Sequence, residues 1–208
     1  MKTLIAFCLC GLSIPLLAQT TLRTFTSPDG IFQFKYSDVL VDCTSVGPQE
    51  NGAGSSVPES CISQGGLCGD ASTDASTIAC YAYLKYRFRD KPTFVTAAFF
   101  VAEFKAATTR KNCLEGSHWN IEGIESATIN GAHFKVFHVS DHGMGNSLDE
   151  DLYRTFHQGK CYKLGIQTAT SNRGEDDSAG TIIEFTKKDS DEVQGRLKRA
   201  LYSFSFLK

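Results

Sequence analysis

The cysteines constrain this chain of 208 residues, which carries eight of them, more than any other feature. Two, Cys8 and Cys10, lie in an apolar stretch running to Leu17, which follows Lys2 and leads to a small residue, Ala18. A positive start, an apolar run and a small residue form a secretory signal peptide, with Leu16 and Ala18 where a signal peptidase reads. Gly11, Ser13 and Pro15 interrupt the run, which falls short of the roughly 20 residues that span a bilayer. Residues 1–18 are expected to be cleaved, leaving residues 19–208 as a single secreted or periplasmic domain with no membrane span. Cys43, Cys61, Cys68, Cys80, Cys113 and Cys161 remain. An even cysteine count in an oxidising compartment reads as a disulfide framework rather than a zinc site, and no CxxC spacing occurs among them.

Sequence alone selects no pairing among the six. Cys61 and Cys68 form the easiest pair, because they sit in a Gly- and Ser-rich segment that bends freely, and a bond there would staple a loop over residues 44–77. The chain-entropy model assigns that short closure roughly 2.5 kcal/mol, and wider pairs such as Cys43–Cys80 or Cys113–Cys161 about 4 kcal/mol.

Around the cysteines the residues alternate as strands do. Thr21 to Thr26, the turn Ser27-Pro28-Asp29-Gly30, and Ile31 to Tyr36 read as a hairpin with Phe32, Phe34 and Tyr36 on one face. Strand material continues through Val39-Leu40-Val41 and returns over Cys80 to Phe88, which the turn Asp90-Lys91-Pro92 breaks. Ala97 to Phe104 fits either a strand or a buried helix, its aromatic density favouring strand. Thr108 or Thr109 offers an N-cap for a short helix ending at Gly116. Asn130-Gly131 between apolar runs is the sharpest local signal, since a two-residue hairpin needs φ > 0 at both positions. A polar connection over 141–146, a strand over Leu152 to His157, the turn Gln158-Gly159-Lys160 and a strand from Cys161 complete a run of antiparallel strands. Ser190 is read as the start of the best helix, with Val193, Leu197, Ala200 and Leu201 on one face, and Tyr202 to Phe206 follows as strand or extended tail. The architecture is α+β: a twisted antiparallel sheet with helices packed on it.

The opening Ser27 to Tyr36, the Thr128-Ile129-Asn130-Gly131 hairpin and the closing helix into Leu201-Tyr202-Ser203-Phe204-Ser205-Phe206 together resemble the PsbP-like proteins. That group spans extrinsic photosystem subunits, bacterial DcrB-type envelope proteins and a nuclear-transport factor. The resemblance implies an α/β/α sandwich and a non-enzymatic role in binding or stabilising other proteins, with metal binding in some members. None of the group's functional residues maps onto this chain one for one, and the six cysteines and the 44–77 loop depart from its pattern.

Charge excludes more than it suggests. Lys+Arg number 21 and Asp+Glu 23, giving a net charge of −2 and no basic stripe for nucleic acid. Metal-type ligands concentrate at His133, His138, Asp141, His142 and His157. Regular pairing of the 132–158 hairpin would bring His133 near His157, while His138 and His142 share a parity that Asp141 does not. A Cys161–His157 nucleophile pair is excluded if Cys161 is disulfide-bonded. Asp149-Glu150-Asp151 and Glu175-Asp176-Asp177 read as solvated turns, lacking the ligand spacing of a Ca²⁺ loop, and Trp119 as a half-buried core residue. HExxH, GxSxG and phosphate-loop motifs do not occur. The expected function is an exported, disulfide-stabilised, non-enzymatic binding or envelope-associated protein for an unknown protein or small-molecule ligand, with no cofactor. The alternative is a secreted hydrolase or metal-dependent enzyme using the His133/His157 region.

Overall fold

Alternation over the first hairpin sets Phe32 and Phe34 on one face of a strand, and both are fully buried. The computed structural model describes residues 21–44, 68, 75–84, 91, 93–115, 121–143, 145–171 and 184–208. Strands β1 (Leu22–Thr26) and β2 (Phe32–Ser37) pair antiparallel around the turn, where Gly30 holds φ at +69° and the Ser27 hydroxyl accepts from the Ile31 and Phe32 amides. The short β10 (Ser205–Phe206) joins the other edge of β2, making a three-stranded sheet.

A seven-stranded antiparallel sheet carries the rest, in the order β3-β4-β5-β9-β8-β7-β6. Its strands are β3 (Val41–Asp42), β4 (Ala75–Leu84), β5 (Phe94–Phe104), β6 (Ile121–Ile129), β7 (Ala132–Gly143), β8 (Asn146–His157) and β9 (Lys160–Ser171). The ambiguous segment ending at Phe104 is strand β5, a nearly continuous buried run because both of its sheet faces are covered. Asn130 and Gly131 turn β6 into β7 with φ of 46° and 83°. The Asn130 amide also donates to the carbonyls of Tyr202 and Phe204, tying that turn to the end of the long helix.

One sheet face presents Tyr81, Tyr83, Phe99, Val101, Leu164, Ile166, Val136 and Tyr153, packed against Phe32, Phe34 and the helix residues Val193, Leu197, Ala200 and Leu201. That helix, α2 (Lys187–Ser203), follows α1 (Arg110–Glu115) in the chain. The opposite face carries Cys80, Ala98, Phe100, Phe137 and Leu152 with Cys43 and Cys68, and α1 packs across its β8–β9 end. This is an α+β architecture. Among the described residues no helix is long and apolar enough to cross a membrane.

Several expectations are corrected. Cys68 pairs with Cys80, not with Cys61, and Cys80 is thereby unavailable to Cys43; the Cα atoms of Cys68 and Cys80 are 5.5 Å apart because β4 turns Cys80 toward the face on which Cys68 lies. Cys43 is also disulfide-bonded. Cys113–Cys161 forms as one of the wide pairs considered, again with 5.5 Å between Cα atoms. The expected loop over 44–77 gives way to strand β4 at Ala75. Residues 38–40 turn the chain, closed by a hydrogen bond from the Leu40 amide to the Ser37 carbonyl, so Val41 enters the larger sheet instead of prolonging β2. The polar connection expected over 141–146 is strand up to Gly143 and again from Asn146, because the β7–β8 ladder continues beyond the apolar core. Helix α2 begins at Lys187, not Ser190: Thr186 caps it and exchanges hydrogen bonds with Asp189. Tyr202 and Ser203 belong to that helix rather than to a terminal strand. Thr109 caps α1 through the Asn112 amide. Residues 1–18, Cys61, Trp119 and Glu175-Asp176-Asp177 lie outside the described residues.

Candidate functional site

Strand parity distributes the histidines over two faces. The β7–β8 register opposes His138 to Asp151 and His142 to Ser147. Carried to the open end of the hairpin, away from the Gly143/Asn146 turn, it sets His157 opposite Ala132 and His133 opposite Phe156, so the imidazoles of His133 and His157 leave opposite faces. The expected His133–His157 pair is therefore corrected. His157 instead stacks on Phe206, with ring centroids 3.7 Å apart, and His133 shares a 3.0 Å hydrogen bond with the Thr128 hydroxyl on the neighbouring strand.

On the helix-bearing face, His138, Ser140 and His142 follow one another along β7 with Asp141 turned away, as parity requires. The His138 Nδ1 lies 2.7 Å from Asp151, and its Nε2 lies 3.7 Å from Glu125, beyond hydrogen-bond range. Ser140 donates to Asp149 at 3.0 Å and sits 2.8 Å from the His142 Nε2, while the His142 Nδ1 is 2.8 Å from the Ser147 hydroxyl. The acidic run expected as a turn is thus part of strand β8, with Glu150 accepting from the Gln167 amide on the other face.

Proton bookkeeping decides what this network can do. The single Ser140 proton is committed to Asp149, so the hydroxyl must accept from the His142 N–H. A nucleophilic serine needs the reverse polarity, with the imidazole taking the hydroxyl proton and the carboxylate orienting the imidazole. Cys161 is held in its disulfide and supplies no thiolate. Burial pushes the Tyr81, Tyr153 and Tyr162 phenols above their usual range, so they stay protonated. Among the described residues no group of three or more His, Cys, Asp or Glu side chains could hold a metal ion.

A different cleft, of about 620 Å³, opens on the other face between α1 and the β6–β7 hairpin. Cross-strand pairing places Ser126 beside Lys135 and Thr128 beside His133, and α1 supplies Arg110 and Leu114 from across the opening. Ile124, 56% exposed, adds apolar surface, and the Lys135 ammonium lies 5.2 Å from the Phe137 ring centroid. Glu125, the one carboxylate residue lining the cleft among the described residues, directs its side chain across the sheet to His138. Two cations, an imidazole and two hydroxyls thus face a concave space of the size that takes small molecules. Of these residues the sequence singled out only His133. The two-residue Asn130-Gly131 turn carried the missing signal, since it fixes the 128–133 and 126–135 pairings.

No family model and no curated protein matches the chain. Among solved structures it is similar to a crystal structure from Bacteroides thetaiotaomicron, at 10% identity and a TM-score of 0.46, over 89% of this chain and 48% of that one. It is also similar to the Ran-binding protein Mog1p of Saccharomyces cerevisiae, at 9% identity and a TM-score of 0.42, over 89% of this chain and 95% of that one. The chain spans about half the length of the Bacteroides protein it matches.

Proposed function

We propose that this is an exported, disulfide-stabilised, non-enzymatic binding protein of PsbP-like sandwich type, and that its ligand is a small anion with an apolar body. The observation that carries the reading is the cleft: Arg110, Lys135, His133, Ser126 and Thr128 face it, while Glu125, the only carboxylate lining it among the described residues, is turned to the opposite side of the sheet. An acid group would take charge-assisted hydrogen bonds from Arg110 and Lys135, and Ile124 and Leu114 would cover the apolar part. The polarity of the Ser140–His142 contact supports binding over hydrolysis. Export rests on the 1–18 leader and on the disulfides.

Calorimetric titration of the mature, oxidised protein with benzoate, phenyl phosphate and benzylamine tests the reading. The two anions are expected to bind and the amine not to, and Arg110→Ala with Lys135→Met should weaken anion binding by about tenfold or more. Equal binding of the amine, or anion binding indifferent to both substitutions, overturns it. For export, N-terminal sequencing of secreted material is expected to begin at Gln19; an intact Met1 refutes that part alone.

A further inference from the structure

Helix α2 presents a second recognition surface on the side remote from the cleft. Between the helix and the β1–β2 hairpin runs a groove of about 460 Å³, lined by Leu22 and Lys35 from the hairpin and Gly195, Lys198, Arg199 and Tyr202 from the helix. Leu22 is 49% and Tyr202 57% exposed, so two of the four large apolar side chains left exposed among the described residues meet in one depression. The space above Gly195 is open, since a Cβ added there would touch nothing within 4 Å.

The charges around it are one-sided. Elsewhere on α2, Lys187 pairs with Asp191 and Arg196 with Glu192, each one turn away, and Lys188, outside the groove, forms no ion pair among the described residues. Lys198 and Arg199 have Gln194 and Gly195 one turn before them and Tyr202 and Ser203 one turn after, and neither they nor Lys35 forms an ion pair among the described residues. Three uncompensated cations thus rim an apolar floor on a chain whose net charge is −2. We infer that this groove docks an acidic, amphipathic segment of a partner protein, one large apolar side chain seating between Leu22 and Tyr202 while flanking carboxylates meet Lys35, Lys198 and Arg199. The concavity favours a protruding side chain over a flat anionic bilayer, which would need the apolar groups to stand proud of the surface. The inference is independent of the ligand proposed for the cleft.

The test uses fluorescein-labelled dodecapeptides that carry a central Trp or Leu flanked by Asp and Glu. Two control sets replace the acids with Lys, or the central residue with Ser. Polarisation titrations of the mature protein should give binding to the first set only, weakening as salt rises, with NMR shifts at Leu22 and Tyr202. The double variant Lys198→Glu/Arg199→Glu, exposed on the helix, should lose about tenfold or more, as should Gly195→Trp, which fills the groove. Unchanged circular dichroism and an unchanged thermal unfolding midpoint mark both variants as folded. No binding by the acidic set, equal binding by the lysine set, indifference to these variants, or shifts confined to Arg110 and Lys135 would overturn the proposal. So would charge-dependent sedimentation with phosphatidylglycerol vesicles in the absence of peptide binding, which assigns the groove to membrane.

Discussion

The two faces of the seven-stranded sheet are built on different principles. On the helix side, rings interlock: Phe34 meets Phe99 edge-on at 5.0 Å, Tyr36 and Tyr81 lie 4.0 Å apart, and Phe32 packs on Phe204 at 5.2 Å. On the other side the cover is the short α1 and cysteine-bearing segments, and the buried residues include Arg154, Lys163 and Gln167. The Arg154 guanidinium lies over the rings of Phe104 and Phe137 and donates to the Cys113 carbonyl, while Lys163 lies over Phe100. Gln167 accepts from the Cys68 amide and donates to Glu150. A face with a 17-residue amphipathic helix and a small sheet to cover it holds by apolar burial. A face covered by the six residues of α1 and by Cys43 and Cys68 is fastened covalently, by Cys68–Cys80 and Cys113–Cys161.

That contrast can be broken in graded steps. Phe99→Ala, at the centre of the ring cluster, is expected to cost about 3–5 kcal/mol in denaturant unfolding, equally in oxidised and reduced protein. Replacing Cys113 and Cys161 by Ala should cost about 4 kcal/mol, and replacing Cys68 and Cys80 about 3, since the first bond spans 48 residues and the second 12. A reductant should have no further effect on a variant lacking every cysteine of the mature chain. If Phe99→Ala becomes much milder after reduction, the faces are not independent supports.

Smaller changes sharpen the same comparison. A Cβ on Gly165 would overlap the Phe100 ring on the disulfide face, so Gly165→Ala should cost about 1–3 kcal/mol, and the loss should shrink when Phe100→Leu makes room. Thr186→Ala, which removes the cap of α2, should cost about 1 kcal/mol. Asp189 accepts hydrogen bonds from Lys91 and Thr186, which hold its carboxyl at about 2, below its ordinary value of 3.8. Its stabilising effect is therefore complete above that ordinary value and lost as pH falls through about 2. The melting-temperature gap between wild type and Asp189→Asn should close over that interval; a gap that persists at lower pH refutes the assignment.

The sequence made the helix side legible and the disulfide side much less so. Period-two alternation placed Phe32 and Phe34, the Asn-Gly pair placed the central turn, and the four apolar positions of α2 are all fully buried. Each is a local signal. Disulfide partners are chosen by which strand face each cysteine leaves and what the sheet brings opposite, which sequence separation does not encode. The histidines were misread for a related reason: residue type drew attention to His133 and His157 together, but register set them on opposite faces. Arg110 escaped notice because nothing local to α1 says that it looks across at Lys135.

Pairing of β10 with β2 joins the first hairpin to the last strand, bringing Ser205 opposite Gln33. Contacts so remote in sequence form late, because their loop-closure entropy must be met before they return any stability. As the chain emerges from the ribosome, Phe34 can meet Tyr81 and Phe99 early, but Phe32 is not fully covered until Phe204 has been made. A deletion of these last residues would therefore leave aromatic surface open at the first hairpin, and its first symptom should be aggregation of newly made chain rather than a weaker native state.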